Sequence, residues 1–229
     1  MSAHFAGIRQ EQYRIYQPDM IKRDWEMLVR GKYDAASVIN NYDNGVVQAD
    51  AMIRQLFADL QRKGYMDNSL VVILADHGEG LGERSGAEGF GHARLLYQEF
   101  IRIPLLIYDD SKTEYANLKF ATQIDVAPTI VARLGLSIPA SWQGQSLLDP
   151  DSSRYEFHQT QGRVPSYAIL FRTQGAIYKY FYRTWDGVGI EELYELNSDP
   201  GETHNLFSSA DPSLIKHLRA KLEEYLARS

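Results

Sequence analysis

The sequence predicts an α/β fold: a partial, mostly parallel sheet flanked by helices, then a small antiparallel-sheet subdomain and a closing helix. Three observations predict it. Leu70-Val71-Val72-Ile73-Leu74-Ala75 is a continuous apolar run that stops at Asp76-His77, the pattern of a strand buried on both faces. Val46, Ala49, Ile53, Leu56, Phe57 and Leu60 recur at helical spacing just before it. Beyond Pro150 the chain turns to short aromatic segments separated by turns, the pattern of a meander. Residues 1–150 are therefore read as one α/β part and 151–229 as the β subdomain with its helix.

Composition narrows the function classes. At 229 residues the chain can bury a sizeable core, as one large domain or one domain with an appendage. A net charge of −6, with no Lys/Arg run interleaved with aromatics, argues against a nucleic-acid partner. No apolar run reaches the roughly 18 residues of a membrane span, and MSAHFAGIRQEQYR lacks the apolar stretch of a signal peptide. The chain is thus expected to be soluble. With no cysteine there is neither a disulfide framework nor a thiolate metal site. A serine-hydrolase reading fails for want of a Gly-x-Ser-x-Gly elbow. A dinucleotide reading fails because the glycine loop carries an acidic pair and a His where a helix N-terminus is required.

Taken in order, the chain opens on a polar, tyrosine-rich stretch up to Pro18 with no strand before it, so it reads as a chain entered in the middle. A helix is predicted over Asn41 to Lys63, with Gly64 at the left-handed position that ends it. Met66-Asp67-Asn68 turns the chain into the Leu70–Ala75 strand. A glycine-rich loop then delivers His92 back toward Asp76 and His77. On residues alone, the Asp-His pair reads either as a metal-ligand pair or as a turn with a helix-capping Asp. Ala93 to Phe100 is a short crossover, and Ile103 to Tyr108 a further strand with Pro104 near its start. Asp109-Asp110 reads as a solvated turn and Asp43 as a cap or salt-bridge residue.

A second helix is predicted within Phe120 to Gly135, with Asp125 as N-cap, Pro128 in the first turn and Gly135 as terminator. Strands are predicted at Tyr167 to Phe171, Ala176 to Tyr182 and Glu192 to Leu196. Tyr178, Tyr180 and Tyr182 lie at period two, which sheet packing explains more simply than carbohydrate stacking. Asp211-Pro212 caps the last helix, whose stripe is Leu214, Ile215, Leu218, Leu222, Tyr225 and Leu226.

Asp76-His77-Gly78-Glu79-x-Leu81-Gly82-Glu83, then Gly91-His92, then Leu96-Tyr97-Gln98-Glu99-x-x-Arg102-Ile103-Pro104 together resemble the second metal-ligand segment of the sulfatase group of the alkaline phosphatase superfamily. Gln123-Ile124-Asp125-Val126-Ala127-Pro128-Thr129 and Leu193-Tyr194-Glu195-Leu196-Asn197-Ser198-Asp199-Pro200-Gly201-Glu202 carry the same resemblance toward the C-terminus. It covers nearly the whole chain but only the second half of the family's catalytic domain.

The resemblance implies a metal-dependent hydrolase or transferase of sulfate, phosphate or phosphonate esters, phosphoethanolamine-type transfer included. Asp76 and His77 would be metal ligands, while His92 and His4 would contact substrate oxygens or protonate the leaving group. The family's nucleophile, carried on a Cys/Ser-x-Pro-x-Arg segment, has no counterpart in this sequence. The isolated chain is accordingly expected to be inactive, with the missing N-terminal half of the same protein as its partner and self-association through an exposed sheet edge. The implied cofactor is a divalent metal. Asp-His in place of Asp-Asn favours Zn²⁺ or Mn²⁺ over Ca²⁺ and leans toward phosphorus esters. The full-length protein is left open to a membrane anchor or an extracytoplasmic location. The alternative is a non-catalytic metal- or partner-binding module that keeps the fold.

Overall fold

The computed structural model describes residues 35–84, 89–92, 95–111, 115, 120–149, 155–160, 165–173, 175–185 and 187–227. Two compact units emerge: one of residues 1–71, 81–90 and 108–112, the other of 72–80, 91–107 and 113–229.

In the first unit, helix α1 runs Ala35–Arg62. It begins ahead of the predicted Asn41: Ala35-Ala36-Ser37-Val38-Ile39-Asn40 holds its two large apolar residues side by side, which gives no helical period to read. Gly64 follows at φ 71°, a conformation without cost for glycine, and a 3-10 turn at Met66–Asn68 leads on. The helix leaves Val46, Val47 and Leu56 at 52%, 59% and 51% exposure. No helix among the described residues is long and apolar enough to cross a membrane.

Strand β1 (Leu70–Leu74) pairs with β4 (Leu105–Asp109). Asp110 N donates to Ser69 O at 3.5 Å, and Gly78 N donates to Phe100 O at 2.9 Å. The start of β1 therefore lies beside the end of β4, and this pair runs antiparallel, unlike the parallel reading of the apolar run. The run is half-buried, and in β4 Leu106 and Tyr108 are 58% and 38% exposed. Asp109 Oδ1 accepts from Ser111 N and Oγ, so Asp109-Asp110 is the predicted turn.

The second unit contains β5 (Tyr155–Thr160), β6 (Ser166–Arg172), β7 (Ile177–Trp185) and β8 (Val188–Glu195), an antiparallel meander in that order. Strand β5 escaped the sequence reading: Tyr-Glu-Phe-His-Gln-Thr alternates aromatic with charged residues and has no long apolar run. The register sets Tyr180 opposite Ile169 and Leu193, and Lys179 opposite Leu170 and Tyr194. Because side chains alternate across a strand, β7 serves two layers.

One face carries Tyr178, Tyr180 and Tyr182 and packs on helix α4 (Pro212–Leu226) through buried Ile215, Leu218 and Leu222. Each such buried aliphatic contributes on the order of 2 kcal/mol. Asp211 accepts from Ser213 N at 2.8 Å with Pro212 in the first turn, the predicted cap. Tyr180 donates its hydroxyl to Glu191, which Arg219 of α4 grips at 2.5 and 2.6 Å. That guanidinium holds the Glu191 carboxyl below its ordinary range, while burial raises the Tyr180 phenol.

The other face of the sheet carries Lys179, Phe181 and Tyr194 and packs on Leu95, Leu96, Tyr97 and Phe100. Lys179 is fully buried. Its ammonium lies 2.6 Å from Glu202, also fully buried, and donates to Leu96 O. The other Glu202 oxygen accepts from Gln98 N at 2.6 Å, at the start of the one-turn helix α2 (Gln98–Ile101). Tyr97 and Tyr194 both donate to Glu192, at 2.7 and 2.9 Å. The Leu193–Leu206 segment is thus held by its polar residues. Asp199 accepts from Thr203 N and Oγ1 and from His204 N, and Asn205 Oδ1 accepts from Leu193 N at 3.0 Å.

Two outcomes follow from this polar layer. Lys179→Met leaves Glu202 as an uncompensated buried charge and is expected to cost about 3–5 kcal/mol in urea unfolding. The double change with Glu202→Leu should recover most of that loss. His158 on β5 is held down to about 4 by burial and by the Lys179 charge. Since the unfolded imidazole binds its proton near 6.5, unfolding takes up a proton between these values. Stability should therefore fall as pH drops from about 6.5 toward 4, with the slope flattened in His158→Gln.

Candidate functional site

The end of β1 is where chemistry-bearing side chains collect. The chain leaves the extended conformation at Asp76 and His77. Asp76 Oδ1 accepts from His77 N at 3.0 Å, and no helix follows that the carboxylate could cap. Of the two readings open on residues alone, the capping one finds no helix.

Gly78 comes next, at a place where only glycine fits. A Cβ there would stand 2.2 Å from Glu99 O, since the loop backbone lies directly against α2. From Gly80 the chain forms a short ribbon, β2 (Gly80–Leu81) against β3 (Phe90–Gly91). The ribbon returns His92 to the point of departure. The His77 and His92 rings stand 4.1 Å apart between centroids, tilted by 30°.

Glu79 completes the group. Its Oε2 accepts from His92 Nδ1 at 2.9 Å. His77 Nδ1 donates to Gly78 O at 2.8 Å. Both imidazoles therefore commit Nδ1–H to an oxygen and leave Nε2 with its lone pair, the arrangement by which a second partner fixes the tautomer of a metal-ligating histidine. His77, Glu79 and His92 each offer one ligand atom within 4.8 Å of the others. The Asp76 carboxylate stands beside His77, Oδ2 lying 3.7 Å from its Nε2.

Two nitrogens and carboxylate oxygens on an accessible rim fit a divalent cation of intermediate hardness. The side chains are reachable from solvent: Asp76 is 88% exposed and His92 52%.

Of the four residues predicted from sequence, His77 and His92 come together here, Asp76 adjoins His77 without joining the cluster, and His4 lies outside the described residues. Glu79 was not singled out. The signal was present, because it sits two residues after His77 in the same motif, but nothing in one dimension shows that the ribbon brings His92 onto it.

The wall behind the turn is built by the Thr122–Pro128 segment. Asp125 was expected to cap the helix over residues 120–135, which appears as a 3-10 turn Gln123–Asp125 followed by α3 (Val126–Arg133). Asp125 occupies the N-cap position of α3, but its carboxylate turns elsewhere. Oδ2 accepts from Thr122 N at 2.8 Å and Thr122 Oγ1 at 3.0 Å, and Oδ1 from Gln145 N at 2.8 Å. Gln123 reaches out from this locked turn and donates through Nε2 to Ala75 O at 3.0 Å and Asp76 O at 2.6 Å.

Gly78→Ala is expected to cost about 2 kcal/mol or more in denaturant unfolding, because the added methyl meets backbone that must shift. Glu99→Ala, which leaves that carbonyl in place, should not relieve it.

Comparison with known proteins gives the family. Residues 4–136 match the family model described as sulfatase, and residues 86–228 the one described as N-sulphoglucosamine sulphohydrolase, C-terminal. An N-acetylglucosamine-6-O-sulfatase of Bacteroides thetaiotaomicron is 29% identical over 86% of this chain and 37% of its own length. A multifunctional alkaline phosphatase superfamily protein of Trinickia caryophylli is 33% identical over 49% of this chain and 23% of its own length. Among solved structures, a 2-O GAG sulfatase superposes with a TM-score of 0.62 at 24% identity, over 95% of this chain and 48% of that one. The chain spans less than half the length of each of these relatives.

Proposed function

This chain belongs to the sulfatase family, whose members depend on a divalent metal, and from that premise we propose that it carries one side of a sulfate-ester hydrolase site. The observation that supports this most is the convergence of His77, Glu79 and His92 within 4.8 Å just past β1, with Asp76 beside His77.

Asp76 and His77 are assigned as metal ligands, and Glu79 joins them with the oxygen not engaged by His92. When bound, the cation would neutralise ester oxygens and activate an oxygen nucleophile. The chain's own part is to hold and orient. His77 is fixed by Gly78 O through Nδ1, so Nε2 is the nitrogen left to bind. His92 is held in orientation by Glu79 and is assigned to contact substrate oxygens or protonate the leaving group. His4 is assigned as a second substrate contact. The nucleophile has to come from segments other than these 229 residues, which contain no cysteine and no Cys/Ser-x-Pro-x-Arg. The exposed apolar residues of α1 and, separately, those of β4 are proposed to receive those segments and, in their absence, to favour self-association.

Sulfate esters are the favoured substrate, because one similar relative and the structural neighbour are sulfatases by name. Phosphorus esters are the second reading. An imidazole in the donor set, that of His77, favours Zn²⁺ or Mn²⁺ over an all-oxygen Ca²⁺ shell, and one relative is described as multifunctional.

The test is aryl sulfate, aryl phosphodiester and aryl phosphonate hydrolysis with Zn²⁺, Mn²⁺ or Ca²⁺, beside calorimetric metal titration of the parent and His77→Ala. Metal binding weakened about 10–100-fold in His77→Ala, with no turnover above that variant, is the expected result. Equal metal affinity in both proteins would refute the site. Metal-dependent turnover lost in His77→Ala would show that these residues hold a nucleophile after all.

A further inference from the structure

A strand and a ligand-bearing turn make opposite demands on the backbone at residues 75 and 76. In an extended strand successive carbonyls point to opposite sides, so one donor cannot serve both. Here a single side-chain nitrogen, Gln123 Nε2, serves Ala75 O at 3.0 Å and Asp76 O at 2.6 Å. The two carbonyls must therefore lie on the same side, and the chain has turned at Asp76. That turn decides where the Asp76 and His77 side chains go.

The chemistry of the donor suits the task. A primary amide offers two N–H bonds on one nitrogen, matching two carbonyl acceptors. Its base is rigid. The Thr122–Asp125 capping box closes the 3-10 turn, and Asp125 Oδ1 ties that turn to Gln145 N. Gly144 lies so close to Ile124 O that a Cβ would stand 1.9 Å away. On the far side of the loop, Gly78 N is fixed to Phe100 O at 2.9 Å. The Asp76–Gly78 backbone is thus gripped from both ends, and Gln123 is the only one of the two grips made by a side chain.

We propose that Gln123 is a positioning residue for the metal-ligating turn: its amide holds the carbonyls of Ala75 and Asp76 together, so that His77 faces His92 with Asp76 beside it. This rests on the metal-site reading above, and the experiment separates failure of one from failure of the other.

Gln123→Leu keeps the length and removes both donors. Gln123→Asn keeps the amide and withdraws it by one methylene. Ile124→Ala, at a neighbouring exposed position, is the control. Residue-resolved hydrogen exchange on the metal-free full chain reads the turn directly. The His77 and Gly78 amides should exchange about tenfold faster in Gln123→Leu, with Phe181 in the sheet unchanged. Mn²⁺ titration of the same proteins reads the consequence: about 10–100-fold weaker binding at unchanged Tm in Gln123→Leu, an intermediate loss in Gln123→Asn, and none in Ile124→Ala.

Parental exchange at His77 and Gly78 in Gln123→Leu overturns the proposal. So does parental Mn²⁺ affinity in a protein series where His77→Ala weakens it. If His77→Ala also binds Mn²⁺ like the parent, the metal-site reading falls, and the exchange measurement alone still decides what Gln123 does.

Discussion

The ion pair between Lys179 and Glu202, sealed from solvent on both sides, is the constraint on which the second unit depends. A buried charge pair is tolerable only when its groups find further hydrogen bonds, and here Leu96 O accepts from the ammonium while Gln98 N donates to the carboxylate. Those two partners bracket Tyr97 at the entrance to α2. Helix α2 in turn presents Phe100 O to Gly78 N. Charge pairing in the sheet layer is thereby linked, through three hydrogen bonds and one short helix, to the backbone that carries His77. Glu202 adopts φ 53° to make this reach, an uncommon conformation for a non-glycine residue, and is held there by its partners.

Much of this fold was legible because the chain is locally consistent. Gly64 and Gly135 sit at positive φ where the helical periods predict termination, and Asp211-Pro212 begins the last helix by the expected chemistry. The period-two tyrosines of β7 pack under α4, as the simpler reading required. What was illegible lies in tertiary relations. Strand β5 is recognisable only beside β6, where Phe157 faces Ile169. The direction of β1 against β4 depends on which ends the crossover brings together, and an apolar run carries no such information. Asp125 obeys the rule that a buried carboxylate must be bonded, but it does so by reaching Gln145, twenty positions away.

The site divides in the same way. Asp76, His77 and His92 were readable as ligand types at a strand end and after a glycine loop. The roles of Glu79 and Gln123 were not, since each acts on a residue distant in sequence: Glu79 on His92 through a ribbon, and Gln123 on Asp76 across 47 positions. Their residue types are unremarkable. Only their partners give them meaning.

Strand β7 offers a different consequence. Its odd-numbered Lys179 and Phe181 belong to the polar layer that adjoins α2, and its even-numbered tyrosines to the layer beneath α4. A slip of one residue against β6 or β8 would exchange the two sets, thrusting an ammonium group among Ile169, Leu193 and Leu218 while pulling tyrosines away from them. The misaligned meander would have to strand a charge in hydrocarbon to form at all. The lysine therefore proofreads the strand alignment, and the sheet carries its own penalty against being assembled one step out of phase.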